Sequence, residues 1–514
     1  MIKRRTFLGS LSAGAALTGC SSDDEAPPLA ATNPVFAHGV ASGDPRPSGV
    51  VLWTRVTRME TAGPIPVAVR VFADVGLTEL VFEADLTTDR DRDDTVKVEA
   101  DGLIPASTYY FEFEALGMRS PIGRTRTAPE ASARLRFALA SCSNYDHGYF
   151  NAYRRIAERA DLDLVIHLGD YIYEYEPGRY GTVRTSEPPR EIVTLDDYRQ
   201  RYAHYRRDPD LAECHRQHPF VTVWDDHESA NDAFRDGAEN HDADEGTWIE
   251  RSAAARQAYF EWMPIRDNEA REVQRVVRYG ELVDLIMLDT RLCCRDEQAS
   301  NIDRDPLLED ESRSLLGEDQ EAWLTEQMVN STATWKLLGQ QVMLGQSNIL
   351  PNPDQWDGYP FARQRLFDSI RDNAVSNVVV LTGDIHSSWG HDLTDDPYDV
   401  NVYNPETGEG SVAVEVITPA ITSPGFPDAL ASLSEGAMAD NPHLKYADVN
   451  RRGYVVLDIT PERLQSAWWF VDTIEAVSEV QSSGGVLQVL AGTPRLVTDD
   501  APAASVEGAP PFAP

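Results

Sequence analysis

The chain has 514 residues with 84 acidic and 46 basic side chains, a formal net charge of −38. That excess argues against nucleic acid and anionic membrane surfaces as partners, and it would repel an anionic substrate unless bound cations reversed the field locally. Five cysteines in so long a chain make no disulfide framework, and the length suffices for two domains around a large buried core.

Residues 1–33 read as targeting sequence. Lys3-Arg4-Arg5-Thr6-Phe7-Leu8-Gly9, followed by the small apolar run 10–17, has the form of a twin-arginine export signal, and the run is too short to span a membrane. It closes on Leu17-Thr18-Gly19-Cys20, which resembles a bacterial lipobox with Cys20 as the lipid-modified new N-terminus, and the acidic, Pro- and Ala-rich stretch after it reads as a tether. The expected partners are therefore the export machinery and, through Cys20 alone, a membrane. The expected location is the periplasm or cell envelope.

Residues 36–127 carry VVLWTRV, VAVRVFA, LVFEADL, TVKVEA and YYFEFEAL, short β-rich runs divided by turn signals at the spacing of a β-sandwich. The segment 103–110, LIPASTYY, resembles the tyrosine corner of fibronectin type III-like domains, in which a Tyr hydroxyl satisfies backbone groups at a sheet edge. His38 and Asp44 in FAHGVASGDP read as parts of a structured loop packed between domains.

From 134 to 490 helical and strand patterns alternate, with helices expected near 150–160, 195–204 and 248–263, which argues for α/β layers. The Pro/Ala-rich remainder, 491–514, reads as disordered. Four apolar runs of this domain end in groups able to bind metal. LRFALASC delivers Cys142, LDLVIHLGDYIY delivers Asp170 and Tyr173, PFVTVWDDHE delivers Asp225, Asp226, His227 and Glu228, and NVVVLTGDIHSS delivers Asp384, His386 and Ser387. Buried strands that finish this way place their polar groups along one carboxyl edge. A carboxylate there can bridge two ions, and a phenolate is a hard donor suited to Fe(III). Cys214 and the pair Cys293-Cys294 remain as buried thiols or as one bridge. Trp356, Tyr359 and Trp389 are candidate pocket walls.

In this order, SCS, GDYIY, WDDHE and TGDIHSS, with FAHGVASGDP before them and NPHLKY…RGYVVLDIT after, closely resemble the PhoD-like alkaline phosphatases, over residues 36 to about 460. The resemblance implies a two-sheet αββα metallophosphoesterase-like sandwich behind the N-terminal β-sandwich, Fe(III) and Ca²⁺ as cofactors, and phosphate mono- and diesters as small-molecule substrates. It also implies ligands: Cys142, Asp170 and Tyr173 for iron, with Asp170 bridging to calcium, and Asp226, Asn231 and Asp384 for calcium, joined by Asp225 and His386. Cations held there would activate a water for in-line attack, with His227 protonating the leaving oxygen or positioning the phosphate. Two other classes remain open on the residues alone. One is a serine-triad esterase using Ser387 or Ser388 beside His386, although no Gly-x-Ser-x-Gly elbow occurs in the mature chain. The other is a lipid-anchored binding or adhesion protein, supported only by the β-sandwich.

Overall fold

The structure, a computed structural model, describes residues 33–58, 62–302, 304–349, 351–426 and 433–514. The export signal, the lipobox at Cys20 and all of the tether except Asn33 lie outside the described residues. Among the described residues no helix is long and apolar enough to cross a membrane.

Three sheets carry the fold. The largest has ten strands, and at its centre Leu135–Ala140, Leu164–His167, Pro219–Thr222 and Val40–Arg46 run parallel as neighbours. The second has seven, with Val283–Met287, Trp335–Gly339, Val378–Thr382 and Ser411–Ile417 parallel in its middle. These central strands are buried along their length apart from Arg46 and the first two residues of Ser411–Ile417, which is why most of them read as continuous apolar runs and not as alternating ones. Phe137, Leu139 and Val165 of the first sheet share one core with Leu285, Leu337, Val379 and Leu381 of the second. Helices Glu318–Asn330 and Pro360–Asp372 close the outer face of the second sheet over a separate core. The result is the expected two-sheet α/β sandwich.

The N-terminal β-sandwich is present, and one of its layers is continuous with the ten-stranded sheet. Val40–Arg46 pairs both with Gly49–Arg55 and, through Ser42 and Gly43, with Pro219 and Phe220. Gly43 is required at this seam, because a Cβ there would sit 2.1 Å from the Pro264 carbonyl oxygen and 2.6 Å from that of Phe220. The opposing layer, Leu80–Thr88, Ile65–Phe72 and Thr108–Ala115, packs over a third core. Tyr109 Oη accepts the Ile104 N–H at 2.8 Å, as the tyrosine-corner reading requires. His38 packs edge-on against Trp262, and buried Asp44 pairs with Arg275 at 2.8 Å, so both serve the seam between layers.

The tail is a correction. Expected to be disordered, 491–514 instead supplies the edge strand Thr493–Thr498, paired with Gln481–Leu490. Beyond it, an extended chain offers carbonyls to buried donors: Ala504 O accepts from Arg136, Pro511 O from Tyr110, and Ala513 O from Gln217. Pro/Ala composition has no periodicity to reveal this, because the order comes from donors that lie elsewhere in the chain. Cys293 and Cys294 form a vicinal disulfide, and Cys214 is a buried free thiol.

Candidate active site

The four strand ends meet where the two sheets face each other. Just past the strands, Cys142, Asp170, Asp384 and His386 all adopt left-handed backbone, with φ of 60°, 55°, 60° and 56°. Such a conformation costs a non-glycine residue on the order of 1–3 kcal/mol and persists where the surroundings fix it. Gly169 lets two of these turns touch, since a Cβ on it would lie 2.4 Å from the Asp225 nitrogen. Glu228, buried, then locks them together. Its Oε2 accepts the N–H of Asp170 at 3.0 Å and of Asp225 at 2.8 Å, and its Oε1 accepts that of Tyr171 at 2.6 Å.

Removing this bracket leaves three enclosed donors without acceptors, each worth about 1–3 kcal/mol. Glu228→Ala is therefore expected to lower the unfolding free energy by about 3–5 kcal/mol, and Glu228→Gln, which keeps one acceptor, by less. Denaturant titration checks this, and a loss below about 1 kcal/mol in the alanine variant would refute the bracket.

Around these turns three groups of side chains converge, the ligating atoms within each lying inside 4.8 Å: Cys142 with Asp170 and His386, Asp170 with Asp226 and His227, and Asp225 with Asp226 and Asp384. Asp170 belongs to two groups and Asp226 to two, so the groups form one continuous cluster. Tyr173 joins it, donating to Asp170 Oδ2 at 2.8 Å and lying 3.2 Å from His386 Nε2. Ser423 donates to the same phenol oxygen at 2.6 Å.

Asn231 is not gathered in the same way. Its side-chain amide turns to Glu239 at 3.2 Å, toward the exposed rim, and its backbone N–H goes to Glu174. The next residue, Asp232, takes the inward place, its N–H bonded to Asp226 Oδ2 at 2.7 Å. The left-handed φ of Asp232, 53°, marks the turn that separates the two directions.

The electrostatics of this cluster call for cations. Burial, together with like charge from Asp170, pushes the Cys142 thiol and the Tyr173 phenol well up. Burial likewise pushes Asp225 well up and Asp384 to about 7, and with Asp354 and Asp226 nearby it carries Asp232 to about 8. Buried Arg291 answers Asp225 and Asp384, and Arg295 joins it at Asp354 at 2.7 Å. Arg291 pairs with Asp225 at 2.5 Å, Asp354 at 2.7 Å and Asp384 at 3.0 Å. It does not suffice, because Asp170 Oδ1 and Asp225 Oδ2 stay buried without a hydrogen-bond partner. Carboxylates, an imidazole, a phenol and a thiol around orphaned oxygens fit divalent and trivalent ions.

His227 occupies the adjoining wall. Its Nδ1 bonds to the buried carboxylate of Glu174 at 2.7 Å and its ring lies 4.2 Å from that of Tyr173. Burial opposes its charge, yet Glu174, Asp226 and Asp170 hold its pKa well above the ordinary histidine value. Glu174 and Arg291 were not among the expected site residues. Arg291 ends the apolar run VDLIMLDT and so carries the same strand-end signature as the others, while Glu174 directly follows Tyr173.

Trp356 and Trp389, candidate pocket walls, are instead core residues whose indole N–H groups bond to Gln340 and Ser387. Tyr359, the third, is buried and accepts from Arg295. The aromatic wall is made by Tyr175 and Tyr180. His386 Nδ1 meets the Pro424 carbonyl at 2.6 Å, Ser387 bonds to Ile385 O and Trp389, and Ser388 Oγ is buried without a hydrogen-bond partner, so neither serine pairs with His386 as a triad requires.

Comparison with known proteins gives concordant results. Residues 137–468 match the PhoD-like phosphatase family, and residues 20–129 match the PhoD-like phosphatase N-terminal domain. Alkaline phosphatase D of Bacillus subtilis (strain 168) is 38% identical over 455 residues, which cover 83% of this chain and 76% of the relative. A solved structure of PhoD superposes with a TM-score of 0.83 at 34% identity, covering 92% of this chain and 93% of the other.

Proposed function

The chain belongs to the PhoD-like phosphatase family, and from that premise we propose that it is an exported phosphatase of phosphate mono- and diesters that works with Fe(III) and Ca²⁺. The observation that carries the metal reading is the pair of orphaned oxygens, Asp170 Oδ1 and Asp225 Oδ2, inside a buried carboxylate cluster that one arginine leaves undercompensated. Cys142, Asp170 and Tyr173, with His386 beside them, would hold the iron. Asp226 and Asp384, with Asp225, Asp170 and either Asn231 or its neighbour Asp232, would hold calcium. When bound, these ions supply the positive charge that acidifies water and neutralises a phosphoryl group in transfer. Export rests on the twin-arginine and lipobox reading of residues 1–33.

The side chains do the rest. Asp170 sits between the two halves of the cluster and fixes their separation. Arg291 holds Asp225, Asp354 and Asp384 at set positions. Glu174 accepts a hydrogen bond from Nδ1–H of His227, so that the other ring nitrogen is the one able to pass a proton to a departing oxygen. The nearby like charge of the protein makes a bare anion unwelcome here, so substrate affinity depends on the cations.

The test is metal analysis of the folded protein together with hydrolysis of an aryl phosphate and a bis-aryl phosphate diester. Iron with calcium, and turnover of both esters, is the expected result. A ferric ion bound by a phenolate and a thiolate gives a visible charge-transfer band, and Tyr173→Phe is expected to weaken or shift it. A colourless, iron-free preparation of full activity would refute the iron assignment. Turnover of the monoester alone would refute the diester assignment.

A further inference from the structure

Tyr180 hangs over the cluster from the segment that follows Tyr173. Its ring lies 5.7 Å from Tyr173, 5.9 Å from His227 and 6.3 Å from His386, so it bridges the two sides of the site. Three nearby tyrosines commit their hydroxyls: Tyr173 to Asp170, Tyr198 to the Ser229 carbonyl, and Tyr171 with His215. Tyr180 is half-buried, and its hydroxyl, accessible to solvent, makes no hydrogen bond to any described residue. It is therefore free to bond to a group that enters the site.

The segment that carries Tyr180 is fixed. Tyr180 O accepts from Asn144 Nδ2 at 3.4 Å, and the N–H groups of Val183 and Ser186 bond to Asp146 at 2.8 Å and 2.6 Å. Gly181 lies flat on the backbone of Asp146 and His147, where a Cβ would approach to 2.5 Å. The cluster itself is rich in acceptors and poor in uncommitted donors. A phosphoryl group brings more acceptor oxygens, and a hydroxyl carried on a fixed segment beside them offers a donor that adds no charge and needs little reorganisation.

We propose that the Tyr180 hydroxyl donates a hydrogen bond to a non-bridging oxygen of the phosphoryl group held at this centre, an inference that rests on the phosphatase reading above. Tyr180 is then a substrate-contacting residue, distinct in role from Tyr173.

The experiment compares metal-loaded wild type with Tyr180→Phe, which keeps the ring and its packing. Expected is a fall in kcat/KM of roughly 10²-fold, equal for aryl and alkyl phosphates because a non-bridging oxygen is common to both. The inhibition constant of orthovanadate is expected to rise at least tenfold, with iron and calcium content and thermal midpoint unchanged. The inference is overturned if kcat/KM and vanadate inhibition stay within about twofold of wild type, if the loss grows with leaving-group pKa, or if metal is lost along with activity. A wild type that hydrolyses no phosphate ester removes the phosphatase reading and this inference together, whereas an active wild type with an unaffected variant removes the inference alone.

Discussion

His227→Ala is expected to lose alkyl phosphate hydrolysis by about 10²–10⁴-fold while turning over an activated aryl phosphate at close to the wild-type rate. The reason lies in the Glu174–His227 pair. Glu174 is fully buried and holds Nδ1 at 2.7 Å, and the surrounding carboxylates keep the imidazole protonated against the cost of its burial. A poor leaving group needs that proton, whereas a phenolate of low pKa departs without it. Glu174→Gln is expected to show the same dependence on the leaving group to a smaller degree, since the amide still orients the ring but no longer stabilises its charge. His227 also lies within 4.8 Å of Asp170 and Asp226 in ligating atoms, so the competing role is metal binding. The two roles give opposite patterns: a proton donor leaves the metal content intact and discriminates between esters, while a ligand lowers every rate together with the bound metal. Uniform loss with depleted metal would therefore overturn the proton-donor role.

The strand ends were legible because burial on both faces writes itself as an unbroken apolar run, and a polar group placed directly after such a run has no alternative but the sheet's edge. Cys142, Asp170, Asp225, Asp226 and Asp384 follow from that pattern alone, and the structure brings all of them to one place. Asn231, expected only from the family resemblance, lies outside that pattern. Whether residue 231 or 232 faces inward depends on a single left-handed turn, and no periodicity encodes one turn of that kind. Glu174 was hidden differently: a buried charge is identified by its partners, and those of Glu174, His227 and Asn231, are more than 50 residues away in sequence, whereas Arg291 directly follows an apolar run and carries the same signal as the strand ends. The tail 491–514 failed for the same reason, its order being imposed by Arg136, Tyr110 and Gln217. Local chemistry survived in the sequence, whereas long-range satisfaction did not.

Chelation is expected to destabilise the protein increasingly as pH rises from about 4 to about 8, measured as the difference in unfolding free energy between metal-loaded and metal-stripped enzyme. Asp384 titrates near 7 in the metal-free fold and Asp232 near 8, both raised by burial and by neighbouring carboxylates, with Asp225 raised as well. An unfolded aspartate ionises near pH 4. Across that window the metal-free folded state binds more protons than the unfolded one, so its stability falls as pH rises and levels off above the folded values. For Asp384, which is mostly buried, the loss is on the order of 4 kcal/mol. His227, its pKa raised in the fold, works in the same direction above pH 6.5. Asp226 and Glu174, held below their ordinary values despite burial, lose their contribution only at the acid end of the window. The buried histidines His167, His215 and His218, whose pKa values are lowered by burial, oppose the trend below about pH 6.5. They face the core, act on both forms of the enzyme and cancel in the difference. Bound cations reverse the preference at the cluster, because they favour the ionised carboxylates and gain affinity as those groups lose their protons. Denaturant titrations at intervals of one pH unit, with and without chelator, give the difference directly. A gap that stays constant across the window would mean that the carboxylates remain ionised without metal, with Arg291 alone compensating them, and the metal reading of this cluster would fall with that result.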